Sequence, residues 1–386
     1  MHSEANSATA PAIVASGSLH LKGHIPGLDV LRGLAILIVV LFHGIYTRDS
    51  LPAFHGLGFG LFYVASLGSS GVTLFYVLSG FLITGIIVDG SANPNFYRQF
   101  YLRRAARILP AYLLLITVLK LTHTVSWNFV LAGLLFIGNM ARLVGARDYE
   151  YGPMWSLAVE EQFYLLWPWC VRRCSAPTLV RAIPIFCGVL FCLLALVAVY
   201  APKIDIEYKL WGNAPWLMAG AWVAIALRTN TLHADNIRSL IVGLLIAAAI
   251  TFPIVPYIDL FRHQTVALPF YRLPFALLYM AMLLIAIRNR RSPVTSTWRR
   301  CLAFLGYISY GLYLIHQFVQ DNFDRLAIHT WLGRQQHNMP GLLISCAIFS
   351  TASIAIAYLM RVHFESLFLD RRAPARAVNE LGPPAA

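Results

Sequence analysis

The side chains with the greatest chemical capacity lie inside apolar sequence. The stretch LDVLRGLAILIVVLFHGIY, residues 28–46, is long and apolar enough to lie in a bilayer, yet it carries Asp29, Arg32 and His43. An ionisable group at the centre of a membrane helix costs roughly 2.5 to 3.5 kcal/mol on insertion scales, so such groups mark function or a specific partner. Arg32 and His43 are eleven residues apart. At 100° per residue the offset from three full turns is about 20°, so the two share one helix face at depths about 16 Å apart. An imidazole there could act as general base or nucleophile, and a guanidinium could hold an anion. The competing structural readings are a snorkelling arginine and a histidine that only bonds between helices.

Four further groups extend this chemistry. YGPMWSLAVEEQFYLLWPW, residues 151–169, places Glu160 and Glu161 about 100° apart on a helix, so one can face a cavity while the other meets a neighbour. Both are expected at a depth comparable with His43, and Ser156 and Tyr164 flank Glu160 at four-residue spacing. ISYGLYLIHQF, residues 308–318, carries His316 in the same layer, with Ser309, Tyr310 and Tyr313 below it. GVTLFYVLSGFLITG, residues 71–85, offers Ser79 and Gly80 for close helix packing. Finally, FYLRRAARILPAY, residues 100–112, puts Arg103, Arg104 and Arg107 on one face, a grouping suited to phosphates or simply to a cytoplasmic helix end.

The elements that must position these groups are membrane helices. The chain has 386 residues, 58% hydrophobic and 12% charged, with a mean hydropathy of +0.65. Its apolar runs are unbroken for about 20 residues, the length needed to cross some 30 Å, and lack the alternation of a membrane β-barrel. An all-α polytopic bundle of about ten transmembrane helices follows, over 28–46, 69–88, 106–122, 154–171, 179–200, 210–228, 237–256, 267–287, 301–320 and 341–361. An eleventh apolar segment, 127–141, is short and reads as re-entrant or lying at the surface. With both termini cytoplasmic, roughly two thirds of the 30 Lys and Arg residues fall in cytoplasmic segments, and the RNRRS cluster is kept inside. Residues 1–24 and 363–386 read as disordered cytoplasmic tails around a membrane domain over 25–362. The net charge of +13 is dispersed among loops, which argues against nucleic acid as a partner. The six cysteines lack paired spacing, so neither a disulfide framework nor a metal site is indicated.

Taken in order, LDVLRGLAILIVVLFH with its Arg-x10-His pattern, GVTLFYVLSGFLI, FYLRRAARILPAYLL, WSLAVEEQFYLLWP and LGYISYGLYLIHQ resemble the acyltransferase-3 family of integral membrane acyltransferases. The resemblance covers about residues 30–320. It implies a ten-helix enzyme in the cytoplasmic (inner) membrane of a bacterium. Such an enzyme O-acylates a carbohydrate or another hydroxyl acceptor, macrolides in some members, using acyl-CoA, usually acetyl-CoA, as co-substrate with no permanently bound cofactor. On that reading His43, oriented by Glu160 or Glu161, is the general base or a transient acyl carrier. Arg32, Arg103, Arg104, Arg107 and Ser79 bind the donor, while Asp29, Tyr164 and His316 meet the acceptor or give support. One departure is Thr73, where the family usually has Asp in Gly-Val-Asp-Leu-Phe-Phe. The SGNH-type hydrolase domain fused in some members has no counterpart in these residues, which implies that the membrane domain itself handles the acceptor. A proton-coupled transporter of an anionic solute is the rival reading, with His43, Glu160 and Glu161 as relay; a noncatalytic scaffold is the third.

Overall fold

The computed structural model describes residues 23–46, 57–147, 150–201, 206–229, 231–253, 268–327 and 339–369. The expected tails lie almost wholly outside these ranges, except that helix continues past 362 to Leu369. Among the described residues every regular element is helical: α1 (Pro26–Leu41), α2 (Leu57–Ser66), α3 (Gly71–Asp89), α4 (Phe96–Leu121), α5 (Trp127–Leu134), α6 (Pro153–Arg173), α7 (Ala176–Tyr200) and α8 (Leu210–Arg228). They are followed by α9 (Ala234–Thr251), α10 (Leu268–Tyr271), α11 (Leu273–Arg288), α12 (Thr297–Tyr307), α13 (Ser309–Ala327), α14 (Met339–Leu359) and α15 (Ser366–Leu369). Two π-helical turns interrupt the regularity, Phe42–Tyr46 after α1 and Met360–Glu365 after α14. Local signals start several helices. Proline sits in the first turn of α1, α6 and α11, where its missing N–H costs nothing. Ser126 and Ser175 accept from the backbone N–H groups of Phe129 and Thr178 at the starts of α5 and α7.

Five described helices are long and apolar enough to cross a bilayer: Pro26–Tyr46, Gly60–Asp89, Ala176–Val197, Leu210–Arg228 and Pro340–Leu369. A sixth is the bent pair α12 and α13, which corrects the expectation of one continuous span over 301–320: the axis turns by 78° at Ile308. Close packing accompanies this break. A Cβ on Gly306 would stand 2.0 Å from the Asp29 carbonyl oxygen, and one on Gly33 1.8 Å from that of Leu302, so α12 and α1 meet backbone to backbone. The remaining segments expected to span are α4 and α6, which carry the arginines and glutamates, and the shorter α9 and α11. Segment 127–141 forms the eight-residue α5 and a 3-10 turn, too short to cross.

A second glycine contact sets the middle of the bundle. Cβ atoms on Gly80 and Gly220 would lie 1.8 and 1.9 Å from the carbonyl oxygens of Leu217 and Val77, so α3 and α8 touch through their backbones. Arg228 closes the end of that pair, donating to both carboxylate oxygens of Asp89 at 2.8 Å. With α8 held on one side, α3 turns Ser79 toward α6. Gly80→Ala or Gly220→Ala is therefore expected to destabilise the protein by about 1 to 3 kcal/mol, read as a lower thermal midpoint in detergent. Gly243→Ala, with open space around it, is expected to hold or raise that midpoint.

Candidate active site

The structure assembles the polar side chains into two groups joined by aromatic and hydroxyl residues. The first lies where α1, α4, α6 and the turn after α14 meet. Arg32 donates to Asp29 at 3.3 Å, and Asp29 also contacts His24. Arg104 stacks over the Tyr164 ring at 3.8 Å and faces Glu161 at 3.9 Å. Arg361 donates to Glu365 at 3.1 Å. Arg107 is exposed, within electrostatic reach of Arg32, Arg104 and Arg361; among the described residues it has neither a hydrogen bond nor an ion pair. Four guanidiniums thus converge and one of them lacks a carboxylate, which is the arrangement of an anion site.

The second group is a histidine pair. The Nδ1 atom of His43 lies 2.9 Å from the Val39 carbonyl oxygen, and that of His316 lies 2.8 Å from the Tyr313 carbonyl oxygen. Carbonyls only accept, so each neutral ring carries its proton on Nδ1 and its lone pair on Nε2. The two rings are 4.7 Å apart, edge to face, with His316 Nε2 3.3 Å from His43 Nδ1. His43 Nδ1–H is shared between Val39 and His316, and its own Nε2 is the nitrogen that accepts a proton. The π turn supports this placement. Gln320 donates to the His43 carbonyl oxygen at 2.7 Å, satisfying an acceptor at a helix irregularity.

Between the groups runs a polar line. Ser79 and Tyr164 each donate to one oxygen of Glu160 at 2.9 Å. Tyr313 is within electrostatic reach of Glu160; its hydroxyl is hydrogen-bonded to Ser156 and its ring is 5.7 Å from that of His316. Tyr76 donates to the Ser156 carbonyl oxygen at 3.4 Å.

Several expectations change on this geometry. Neither glutamate is bonded to His43: both oxygens of Glu160 are taken by Ser79 and Tyr164, and Glu161 faces Arg104. Glu161 goes to Arg104 because a desolvated anion is best compensated by a cation. His316, expected to meet the acceptor or give support, is bonded to the His43 ring. Arg103 takes no part in the ion pairs of Arg32, Arg104 and Arg361. It is exposed, bonded to Gln99 at 3.4 Å, and lines an open surface recess with Arg98 and Leu102. Asp29 pairs with Arg32, about 20 Å along the helix from His43, so it supports the arginine end. Ser156, one turn before Glu160 on α6, bonds Tyr313. Thr73 is fully buried with its hydroxyl unpartnered. Sequence reasoning missed Arg361 and Glu365; their four-residue spacing was the available signal.

Comparison with known proteins places the chain in a family. The acyltransferase-3 family model, described as an acyltransferase domain, matches residues 25–360. Peptidoglycan O-acetyltransferase OatA of Listeria monocytogenes is 28% identical over 324 residues, 76% of this chain and 49% of its own length. The Bacillus subtilis protein YrhL, provisionally named a peptidoglycan O-acetyltransferase, is 36% identical over 164 residues, 38% of this chain and 23% of its own. A Staphylococcus aureus (strain COL) protein provisionally named an O-acetyltransferase is 29% identical over 164 residues, 38% of this chain and 24% of its own. The matched part of this chain thus corresponds to about half of the Listeria relative and about a quarter of the other two. No solved structure matches the chain.

The arginine group also has a stability consequence. Arg104→Ala removes the cation facing Glu161, whose Oε1 has no hydrogen-bond partner, and is expected to cost about 3 kcal/mol. The double variant with Glu161→Gln should recover most of that loss, measured as thermal midpoints in one detergent.

Proposed function

Because the chain belongs to the acyltransferase-3 family, we propose that it moves an acyl group, acetyl in the simplest case, from acyl-CoA to a hydroxyl of a bacterial glycan. The observation that carries this reading is the polar line from an unpaired Arg107 among three other arginines, past Glu160 and Tyr313, to the His316–His43 pair. The relatives' names point to a cell-wall glycan as acceptor class. The full topology we propose has ten spans in the inner membrane with both termini cytoplasmic, adding α4, α6, α9 and α11 to the six apolar candidates. That orientation puts the arginine group at the cytoplasmic face, where acyl-CoA is met, and the histidine pair toward the outside, where the glycan is met.

In this mechanism Arg32, Arg104 and Arg107 hold the donor's phosphates through charge-assisted hydrogen bonds. The pantetheine arm lies along the line of Ser79, Tyr164 and Tyr313, and the thioester comes within reach of His43. His43 Nε2 takes the proton of the acceptor hydroxyl as its oxygen attacks the thioester carbonyl carbon. The imidazolium is stabilised by the Nδ1–H bonds to Val39 O and His316 Nε2. The C–S bond then breaks, and the sulfur leaves as the thiol with the proton from His43, giving the acyl ester and free CoA. A second route by the same atoms has His43 Nε2 carry the acyl group between donor and acceptor.

The test uses membranes containing the protein, labelled acetyl-CoA and cell-wall glycan. His43→Ala is expected to lower transfer by about a hundredfold or more with membrane insertion unchanged. Label on the protein without glycan would identify the carrier route. Normal turnover in His43→Ala overturns the assignment, and solute uptake that needs no acyl-CoA would favour a transporter. For the partner, His316→Leu is expected to lower kcat by about a hundredfold, the scale of one misplaced acid–base group. His316→Gln, which keeps an acceptor for Nδ1–H, should retain more activity, with the donor KM similar in both.

A further inference from the structure

Arg361 and Glu365 lie just beyond the family match, which ends at residue 360, and their location in the arginine group is not accounted for by a purely structural pair. We infer that Arg361 is a fourth donor-phosphate ligand and that Glu365 is its resident counter-ion, displaced when the donor's phosphate arrives. This rests on the reading of the arginine group as the acyl-CoA site.

Three observations carry it. First, the pair is only half made. Arg361 Nη1 donates to Glu365 Oε2 at 3.1 Å, while Arg361 Nε and Glu365 Oε1 are both buried without any hydrogen-bond partner. The ion pair that closes α8 on α3 contrasts with it: Arg228 engages both oxygens of Asp89 at 2.8 Å. A pair that serves only packing gains from the bidentate form. One that leaves a donor and an acceptor unused is arranged for exchange, since an incoming phosphate can satisfy the guanidinium and a freed carboxylate can find other donors.

Second, the charges around the pair favour an anion. Arg361 is within electrostatic reach of Arg107, which has no carboxylate of its own among the described residues, and Glu365 is likewise within reach of Arg107. Asp29, Glu161 and Glu365 each pair with one arginine and Glu160 lies within electrostatic reach of Arg104 and Arg32, which leaves Arg107 as the guanidinium of the group with no ion pair of its own among the described residues. A polyanionic donor that replaced Glu365 on Arg361 would bridge the two arginines, which Glu365 alone does not.

Third, the local backbone is unusual. Arg361 and Glu365 lie in the π turn Met360–Glu365, and the other π turn holds His43. Such turns are rare and concentrate where a side chain must leave the register of its helix. Glu365, only 5% exposed, also rests against α13: a Cβ on Gly311 would stand 3.2 Å from Glu365 Oε1. The counter-ion is therefore packed against the helix that carries Tyr313 and His316.

The experiment measures CoA binding to the full-length protein in detergent, together with acetyl-CoA kinetics on a glycan acceptor. Arg361→Ala is expected to weaken CoA binding and raise the KM for acetyl-CoA about tenfold, the size of one charge-assisted hydrogen bond, with kcat within about twofold. Glu365→Gln, nearly isosteric, is expected to tighten CoA binding severalfold by releasing Arg361. Should Arg361→Ala fail to insert, the direction of the Glu365→Gln effect decides. Weaker binding in Glu365→Gln makes the carboxylate a support and overturns the inference. Unchanged CoA affinity in Arg361→Ala, with a clear loss in Arg107→Ala, overturns the inference and leaves the donor site standing. Unchanged affinity in both variants removes the donor site itself.

Discussion

A bilayer interior supplies no water to a buried ion, so every charge between these helices must be answered by another side chain. That constraint organises the protein. Arg32, Arg104 and Arg361 come from three different helical segments, and each meets a carboxylate: Asp29, Glu161 and Glu365. Arg107 is the exception, an exposed guanidinium whose charged neighbours include the other three arginines. The imidazoles are compensated differently, by hydrogen bonding to neutral groups. Both are held by groups that only accept from Nδ1, the carbonyls of Val39 and Tyr313. A cationic end and a neutral basic end on one bundle follow from how each group is compensated.

Packing determines that these ends are connected. The α1–α12 contact through Gly33 and Gly306 brings α12 onto the Asp29 backbone, beside Arg32. The α3–α8 contact through Gly80 and Gly220 leaves the opposite side of α3 to α6, where Ser79 reaches Glu160. Glycine is needed at these four positions because any Cβ would overlap a carbonyl oxygen of the facing helix. Without an aqueous driving force between helices, such backbone approaches are a main source of association in lipid, so the residues that stabilise the bundle also set the spacing of its polar line.

Irregular helix is used where a side chain must be aimed. The π turn after α1 carries His43, and the wider turn leaves a carbonyl that Gln320 satisfies from α13. The break of 78° between α12 and α13 lets one segment pack on α1 through Gly306 while the next carries Tyr310, Tyr313 and His316 along a different direction. Tyr310 donates to the Ile108 carbonyl oxygen at 2.8 Å, tying that second segment to α4, the helix of Arg104 and Arg107. Chemistry and connectivity thus coincide at departures from ideal geometry, which agrees with the frequency of such departures at functional sites.

The amino-acid sequence by itself determined the helical class, the apolar segments and the residue types able to do chemistry. Hydropathy over about 20 residues and the cost of intramembrane charge are both local properties. Arg32, His43, Glu160, Glu161, Tyr164 and Arg107 were legible on those grounds, as was the short segment at 127–141. The tertiary structure alone decided who partners whom. His43 is bonded to His316, 273 residues away, and the glutamates go to Ser79, Tyr164 and Arg104. Helical period assigns faces within one helix but carries no information on which helix lies opposite. Arg361, read along the chain as one more cytoplasmic arginine, and the kink at Ile308 were hidden for the same reason: both are defined by contacts between segments far apart in sequence.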